Sequence, residues 1–352
     1  MKYYIGVDFH MQHYSVAVMD REGNVMDEKK LYHSDQKELF NYFSSFDKDT
    51  SVALEATRNW YWFVDSLQGI GLDVKLVHAK KARIIAESTI KTDKIDAKAL
   101  AHLNRCNFLP VAYIADKDVR SLRELLRYYM SLVKIRSSVK NRIHAILAKN
   151  NIHHGFSDLF GKAGMLFLNN IDIQAIYRLE LNGYLNVLNN LKEQIHQAQL
   201  EIKSRCKESN YAKLLITVPG ISFFTGLLLS VEIANISRFL THKKLCCYAG
   251  LASSTHQSAD KTYHGHIIKD SNKYIRYALI EAVPIAVKKD PKLWLFYTNV
   301  MRSKGRTKAK IAVARKLLIT IYYMLKFNKE YQINNSRVNS KTKLGTNVAL
   351  LD

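Results

Sequence analysis

Gly6-Val7-Asp8-Phe9-His10, Val52-Ala53-Leu54-Glu55-Ala56 and Lys91-Thr92-Asp93-Lys94-Ile95-Asp96-Ala97-Lys98 are the three stretches that decide the fold of this chain. In the first two, an apolar run ends abruptly in a carboxylate. Strands buried on both faces read as such runs and end at the sheet edge where ligand sites are built, so Asp8 and Glu55 are expected at a cleft. In the third, Asp93 and Asp96 stand three apart at a helix start and share one face of it. Each acid alone has a structural explanation, since Asp near a helix N-terminus caps free N–H groups and complements the dipole. Together, an acid after the first strand, one after the fourth and a pair on the closing helix match the order used to hold two Mg²⁺ ions about 3.5 to 4 Å apart, each needing hard oxygen ligands.

Working outward, Tyr3 to Asp8, Ser15 to Met19 and Val25 to Leu31 are short β-rich runs, with Gly23 turning the last pair. Leu39, Phe40 and Phe43 share a helix face; Ser51 to Leu54 returns to strand, Trp60 to Leu67 to helix, Asp73 to Val77 to strand, and Lys80 onward to helix. Three strands in hairpin order followed by βαβα is the order of a ribonuclease H-like domain. Periodicity does not separate that domain from other α/β sheets, so the four acids carry the distinction.

Beyond this region the pattern becomes helical. Asp116 to Lys149 reads as one long basic amphipathic helix. A second runs from about Ile173 to Lys203, where Leu188, Leu191, Ile195, Ala198 and Ile202 step by three and four residues, the mark of a short coiled-coil seam. That seam fits an intramolecular helical hairpin and a dimerising coiled coil equally well. From Tyr211 to about Phe327 the chain is helical and basic, and its polar end reads as a disordered tail. The expected class is α/β plus all-α: an RNase H-like catalytic domain over 1–110, a helical coiled-coil segment over 111–207, a mostly helical C-terminal domain with a helix-hairpin-helix over 208–330, and the tail over 331–352.

The charge narrows the partner. Among 352 residues, 53 Lys and Arg face 31 Asp and Glu, a net charge of +22, which calls for a polyanion, nucleic acid ahead of an anionic membrane. The N-terminus reads as a strand rather than a signal peptide, and the most apolar later stretch, Leu214 to Val231, contains Pro219, Gly220, Ser222 and Thr225, a poor bilayer span. The cytosol is therefore the expected location. Cys106, Cys206, Cys246 and Cys247 lack paired C-x-x-C spacing, which argues against a disulfide framework or zinc site.

The combination resembles the DEDD transposases of bacterial insertion sequences, RuvC-like recombinases associated with a structured guide RNA. The N-terminal likeness lies in the motifs quoted above, with Leu54-Glu55-Ala56-Thr57 for the second. In the C-terminal half it rests on Val218-Pro219-Gly220-Ile221, Glu232-Ile233, Tyr248-Ala249-Gly250-Leu251-Ala252, Asn272-Lys273-Tyr274-Ile275-Arg276 and Ala312-Val313-Ala314-Arg315-Lys316-Leu317-Leu318. The resemblance implies that Asp8, Glu55, Asp93 and Asp96 supply the D, E, D and D, and that the serine eight positions after Gly250, Ser258, is the nucleophile. It also implies a DNA substrate comprising element ends and target, a homodimer or homotetramer whose protomers complete one site, and a guide RNA. Ala259 stands where the family has Gly, and Ser253 where it has Pro, which makes Ser253 and Ser254 competitors of Ser258.

Read on its own chemistry, Val218 to Ile221 between apolar helical runs is either the turn of a helix-hairpin-helix that docks a phosphate at Gly220 or an ordinary Pro-Gly turn. The polar segment His256 to His266 suits a loop, with His256, Lys261, Lys269 and Arg276 available to activate a serine or hold phosphate charge. Lys304, Arg306, Lys308 and Lys310 form a basic run just before a helix from Ile311 to Leu325, suited to phosphate contact without sequence readout. Two rivals compete with a transposase: a metal-dependent junction nuclease in which Ser258 is a bystander, and a non-catalytic nucleic-acid-binding protein. Four intact acids argue against the latter. An ATPase of the actin and sugar-kinase fold lacks its second Asp-Gly phosphate loop here.

Overall fold

The central strands Tyr4–Phe9 and Ser51–Glu55 are apolar until their C-terminal carboxylates, and that composition sets the N-terminal architecture. In the computed structural model, which describes residues 2–56, 60–78, 81, 92–258, 261–268 and 270–333, the chain divides into two compact units, Met1–Ala115 and Asp116–Asp352. Of Thr255, His256, Ser258, Lys261, Thr262 and His264, the backbone alone is described.

In the first unit, β1 (Tyr4–Phe9), β2 (His13–Met19), β3 (Val25–Tyr32), β4 (Ser51–Glu55), β5 (Asp73–Val77) and β6 (Val111–Ala112) form a mixed sheet in the order β3-β2-β1-β4-β5-β6. β1 pairs antiparallel with β2 and parallel with β4; β5 is parallel to β4, and β2–β3 and β5–β6 are antiparallel. Alternation assigns the two faces. Ile5, Val7 and Phe9 join Leu39 and Phe43 of α1 (Gln36–Ser44) and Phe63 and Leu67 of α2 (Trp60–Ile70) in one core. Ala53 and Val77 point the other way and meet Leu100 of α3 (Asp93–Arg105). The edge strand β3 carries Glu28, Lys29 and Lys30, and such charge discourages edge-to-edge pairing. The expected helix from Lys80 falls largely outside the described residues, and the helix that is described opens at Asp93.

In the second unit, α4 (Lys117–Lys149), α5 (Lys162–Asn170) and α6 (Ala175–Glu208) lead to α7 (Asn210–Leu215), α8 (Phe223–Ile233), a 3₁₀ turn (Ile236–Arg238) and α9 (His242–Tyr248). Then come the hairpin strands β7 (Ser253–Ser258) and β8 (Lys261–Ile267) and the helices α10 (Lys273–Lys289), α11 (Pro291–Lys304) and α12 (Arg306–Phe327). The heptad-like seam is buried within the chain: Leu188, Leu191 and Ile195 share a core with Leu132, Val139 and Ile143 of α4, while Ile202 continues into the core of the C-terminal helices. α8 is buried from Thr225 to Ile233, which is why its apolar residues are not confined to one stripe. No helix among the described residues is long and apolar enough to cross a membrane.

Two local expectations are corrected. The polar segment from His256 is not a loop: Ser253–Ser258 and Lys261–Ile267 pair as an antiparallel ribbon, with Gln257 opposite Thr262 and Ser258 opposite Lys261. Its exposed residues, Gln257, Tyr263, Gly265 and His266 among them, leave no apolar alternation to announce strands. The basic run does not precede a helix either. Lys304 closes α11, Gly305 breaks the chain at φ +82°, and Arg306, Lys308 and Lys310 form the first turns of α12, since Lys, Arg and Ala continue a helix readily.

Candidate functional site

Asp8 and Glu55 each stand one residue beyond the paired Val7 and Leu54 on parallel neighbours β1 and β4, so they come from matched positions on the sheet face that α3 covers. Two features bring α3 to that face. Gly6 lets the helix backbone approach so closely that a Cβ there would lie 2.0 Å from the carbonyl oxygen of Ala97 and 2.4 Å from the amide nitrogen of Ala101. At the far end, buried Asn104 donates to the carbonyl of Ser51 at 2.9 Å and accepts from Ser51 Oγ and Lys75 Nζ, tying the helix to β4 and β5.

The helix N-terminus thereby delivers Asp93 and Asp96 to the end of β1. Thr92, not an aspartate, caps it, accepting from the Ile95 amide. That leaves the two carboxylates free of the capping duty that was their structural explanation. Burial raises the Asp8 carboxyl above its ordinary range, His10 opposes the shift, and the negative charges of Asp96 and Asp93 add to it. Asp93 and Asp96 thus place negative charge beside Asp8 at this partly buried sheet edge.

Two histidines complete the cluster. His10 Nε2 lies 3.0 Å from Asp8 Oδ2 and 3.3 Å from Asp93 Oδ1, and His13 Nε2 lies 3.2 Å from Asp93 Oδ2. The rings stack at 4.9 Å. Hydrogen bonding to His13 is the main cause that holds Asp93 below the usual carboxylate range. One donor atom from each of His10, His13 and Asp93 falls within 4.8 Å of the others, a grouping that can hold a metal ion. The oxygens of Asp8 and Asp93 are hard donors suited to Mg²⁺ and Mn²⁺, and the imidazoles of His10 and His13 suit borderline divalent ions such as Fe²⁺, Ni²⁺ and Zn²⁺. The residues therefore fit a divalent cation. His10 belongs to the first motif, which gives it no role, and His13 carries no motif of its own; their spacing across the β1–β2 turn is the signal the sequence offers. Beside Asp93, Thr92 and Lys94 border a cleft of about 640 Å³ that also carries Lys29 and Lys30.

In the second unit, Ser258 occupies the last position of β7. At the foot of the ribbon, Ser253 opposes Ile267 and lines a cavity of about 750 Å³ with His266, Lys308, Arg315 and Lys316, so the competitor serine sits among cations. Arg276 Nη1 reaches Ser271 Oγ at 3.1 Å and the Ile268 carbonyl at 3.5 Å, bracing the segment that follows β8. Lys269 lies outside the described residues, and Lys261 is placed by its backbone at the start of β8. Lys304, Arg306, Lys308 and Lys310 are all exposed.

Gly220 takes φ +90° in the turn closed by the Ile221 amide on the Val218 carbonyl, where a Cβ would sit 2.4 Å from the Ala282 carbonyl oxygen. The following α8 is capped by a reciprocal Ser222–Thr225 box. The Glu232 and Asn272 motifs, unassigned from sequence, meet each other. Asn272 caps α10 through its side-chain oxygen and donates to buried Glu232 at 2.7 Å, and Arg127 of α4 approaches the same carboxylate at 3.4 Å.

Comparison with known proteins covers both halves of the chain. A family model for DEDD transposases of the IS110 type, described as "Transposase", matches residues 5–152, and one described as "Transposase IS116/IS110/IS902 family" matches residues 212–298. The chain is 22% identical over 342 residues to the transposase for insertion sequence element IS1111A of Coxiella burnetii, spanning 93% of this chain and 91% of that protein. It is 22% identical over 291 residues to the transposase for IS1328 of Yersinia enterocolitica, spanning 80% and 83%. A shorter stretch of 129 residues is 38% identical to the pilin gene-inverting protein of Moraxella lacunata, 35% of this chain and 40% of that one. Matched in both halves by the family's models and along nearly its whole length by one of its transposases, the chain belongs to the IS110 family of insertion-sequence transposases.

Proposed function

We propose that the protein is a DNA recombinase that cuts and exchanges strands at the ends of its insertion sequence, using Mg²⁺ held by Asp8, Glu55, Asp93 and Asp96 and a nucleophilic Ser258, with a structured guide RNA choosing the target. The observation that carries this reading is the meeting of Asp8 and Asp93 through His10 at the edge of a sheet ordered 3-2-1-4-5, the order that supports a RuvC-like domain. A bound divalent ion supplies the charge that stabilises the phosphoryl-transfer transition state. The chain's own residues do the rest. The Ser258 hydroxyl oxygen bonds to a DNA phosphorus, its proton passes to a base, and the bond from phosphorus to the neighbouring sugar oxygen breaks. A phosphoserine and a free DNA hydroxyl result. Attack by another strand's hydroxyl reverses the step and completes the exchange.

His256, Lys261 and Lys269 are the proposed suppliers of proton transfer and charge at the ribbon, with Arg276 holding its base. The exposed Lys304, Arg306, Lys308 and Lys310 grip the phosphate backbone without reading sequence, and the Gly220 turn serves as the phosphate-docking hairpin of a helix-hairpin-helix. Two protomers, each contributing one part, complete a site in a dimer or tetramer working in the cytosol.

Strand cleavage of element-end DNA in Mg²⁺, with RNA co-purified without nuclease treatment, tests the assignment. Asp8→Ala and Asp93→Ala are expected to lose at least about 100-fold in rate while binding DNA normally, because each removes a hard ligand. Full-rate cleavage by Asp8→Ala contradicts the metal assignment, and preparations with no discrete RNA contradict the guide.

A further inference from the structure

The C-terminal unit holds an aromatic groove that the strand-cutting reading leaves unused. It has a volume of about 650 Å³ and is lined by Tyr129 and Lys134 of α4, Phe224 of α8, and Lys273, Tyr274 and Tyr277 of α10. That size suits a nucleotide. Tyr129 and Phe224 lie 4.8 Å apart at 47°, and Tyr277 is 43% exposed. Arg127 stands over the Tyr274 ring at 5.0 Å and Lys273 Nζ at 5.4 Å.

Rings at a groove's edge usually complete a core, and Tyr129, Phe224 and Tyr274 do pack against one here. The charge distinguishes this groove. Among the described residues no carboxylate lines it; Glu232 is engaged by Arg127 and Asn272, and Glu281 lies near Tyr277 on the same helix. Lys134 and Lys273 are both exposed. Ring faces flanked by solvated cations recognise a π-face attached to a phosphate. In a duplex those faces are covered by stacking, whereas an unpaired nucleotide presents them.

We infer that this groove binds an unpaired nucleotide of single-stranded nucleic acid, its base against Tyr274 and Tyr277 and its phosphates at Lys134 and Lys273. The strand comes either from the RNA or from DNA opened during exchange, and the two share this chemistry. The inference rests on the nucleic-acid-processing reading but uses none of the acids or the serine.

Fluorescence anisotropy with the full chain tests it, using labelled twelve-nucleotide oligouridine, oligothymidine and a twelve-base-pair DNA duplex. Tyr277→Ala is expected to weaken both single strands roughly five- to a hundredfold and to leave the duplex unchanged, since removing one stacking ring has about that effect. Tyr277→Phe keeps the ring and should bind as the wild type. Lys134→Gln with Lys273→Gln should flatten the single-strand salt slope by about 1.4, two contacts at about 0.7 each. Tighter binding of oligouridine assigns the strand to RNA, and equal or tighter binding of oligothymidine assigns it to opened DNA. If Tyr277→Ala binds like Tyr277→Phe, or weakens duplex and single strands alike, the groove is not a stacking site. That result with Mg²⁺-dependent cleavage intact overturns this inference alone; a wild type that neither binds nor cuts DNA overturns the function beneath it.

Discussion

Replacing Gly6 with alanine probes how the carboxylate-bearing edge of the sheet is assembled. The added methyl would sit 2.0 Å from the Ala97 carbonyl oxygen, about 1.4 Å inside the 3.4 Å at which such contacts become ordinary. The obstacle is the backbone of α3, so no side chain can rotate aside, and the helix bearing Asp93 and Asp96 must move away from β1 and Asp8 by roughly that distance. Overpacking of this kind costs about 1–3 kcal/mol, and a rigid backbone obstacle favours the upper end. For a unit of this size the melting temperature should fall by roughly 10 °C. The chemistry should suffer more, because misplacement by about 1 Å can cost about 100-fold in rate. Urea and thermal melts followed by cleavage assays under Mg²⁺ measure both effects. Gly69→Ala is the control: it lies in α2 with nothing within 4 Å of a new Cβ, and it should stabilise by up to about 1 kcal/mol. A Gly6→Ala protein that melts within about 1 °C of the wild type and cuts DNA at full rate would refute the close approach of α3 to β1.

Three further outcomes are expected. Because burial raises the Asp8 carboxyl in the folded state, its contribution to stability is present below the ordinary carboxylate range and lost as pH rises through the raised value. Metal-free Asp8→Asn should therefore melt higher than metal-free wild type at pH 7, and Mg²⁺ or Mn²⁺ should stabilise the wild type more. Asn272→Ala removes the α10 cap and a hydrogen bond to buried Glu232, so chemical denaturation should show a loss of about 2–4 kcal/mol in the C-terminal unit. Burial pushes the Cys246 thiol up to about 11, so at pH 8 iodoacetamide should label exposed Cys106 and Cys247 and spare Cys246, as peptide mapping would reveal.

Asp8 and Glu55 were legible because a buried strand must be apolar until it reaches a sheet edge, and a carboxylate marks that edge. Asp93 and Asp96 were legible through their spacing on a helix face, although only the structure shows that Thr92 relieves them of capping. His13 was hidden because a single histidine at a strand start carries no pattern; its meaning comes from Asp93, eighty positions away. The ribbon around Ser258 gives no strand signal for a related reason: its sequence is polar at successive positions, so the alternation that identifies half-buried strands is absent. Leu188 to Ile202 announced a seam without naming its partner, since heptad spacing describes one helix at a time. Gly305 stands inside a basic run whose charge pattern marks no break, and its positive φ divides that run between two helices.

The most direct test of the central claim is the identity of the atom that attacks DNA. The full chain with its co-purified RNA, Mg²⁺ and element-end DNA is denatured during the reaction, and the protein is mapped for covalently attached nucleotide. An adduct is expected on Ser258 that vanishes in Ser258→Ala, while Ser253→Ala and Ser254→Ala still form it and Ser258→Ala still binds DNA. An adduct on Ser253, beside Lys308 and Arg315, would contradict the assignment of the residue. Cleavage that proceeds in all three variants with no adduct at any serine would contradict the nucleophile altogether and make water the attacking group.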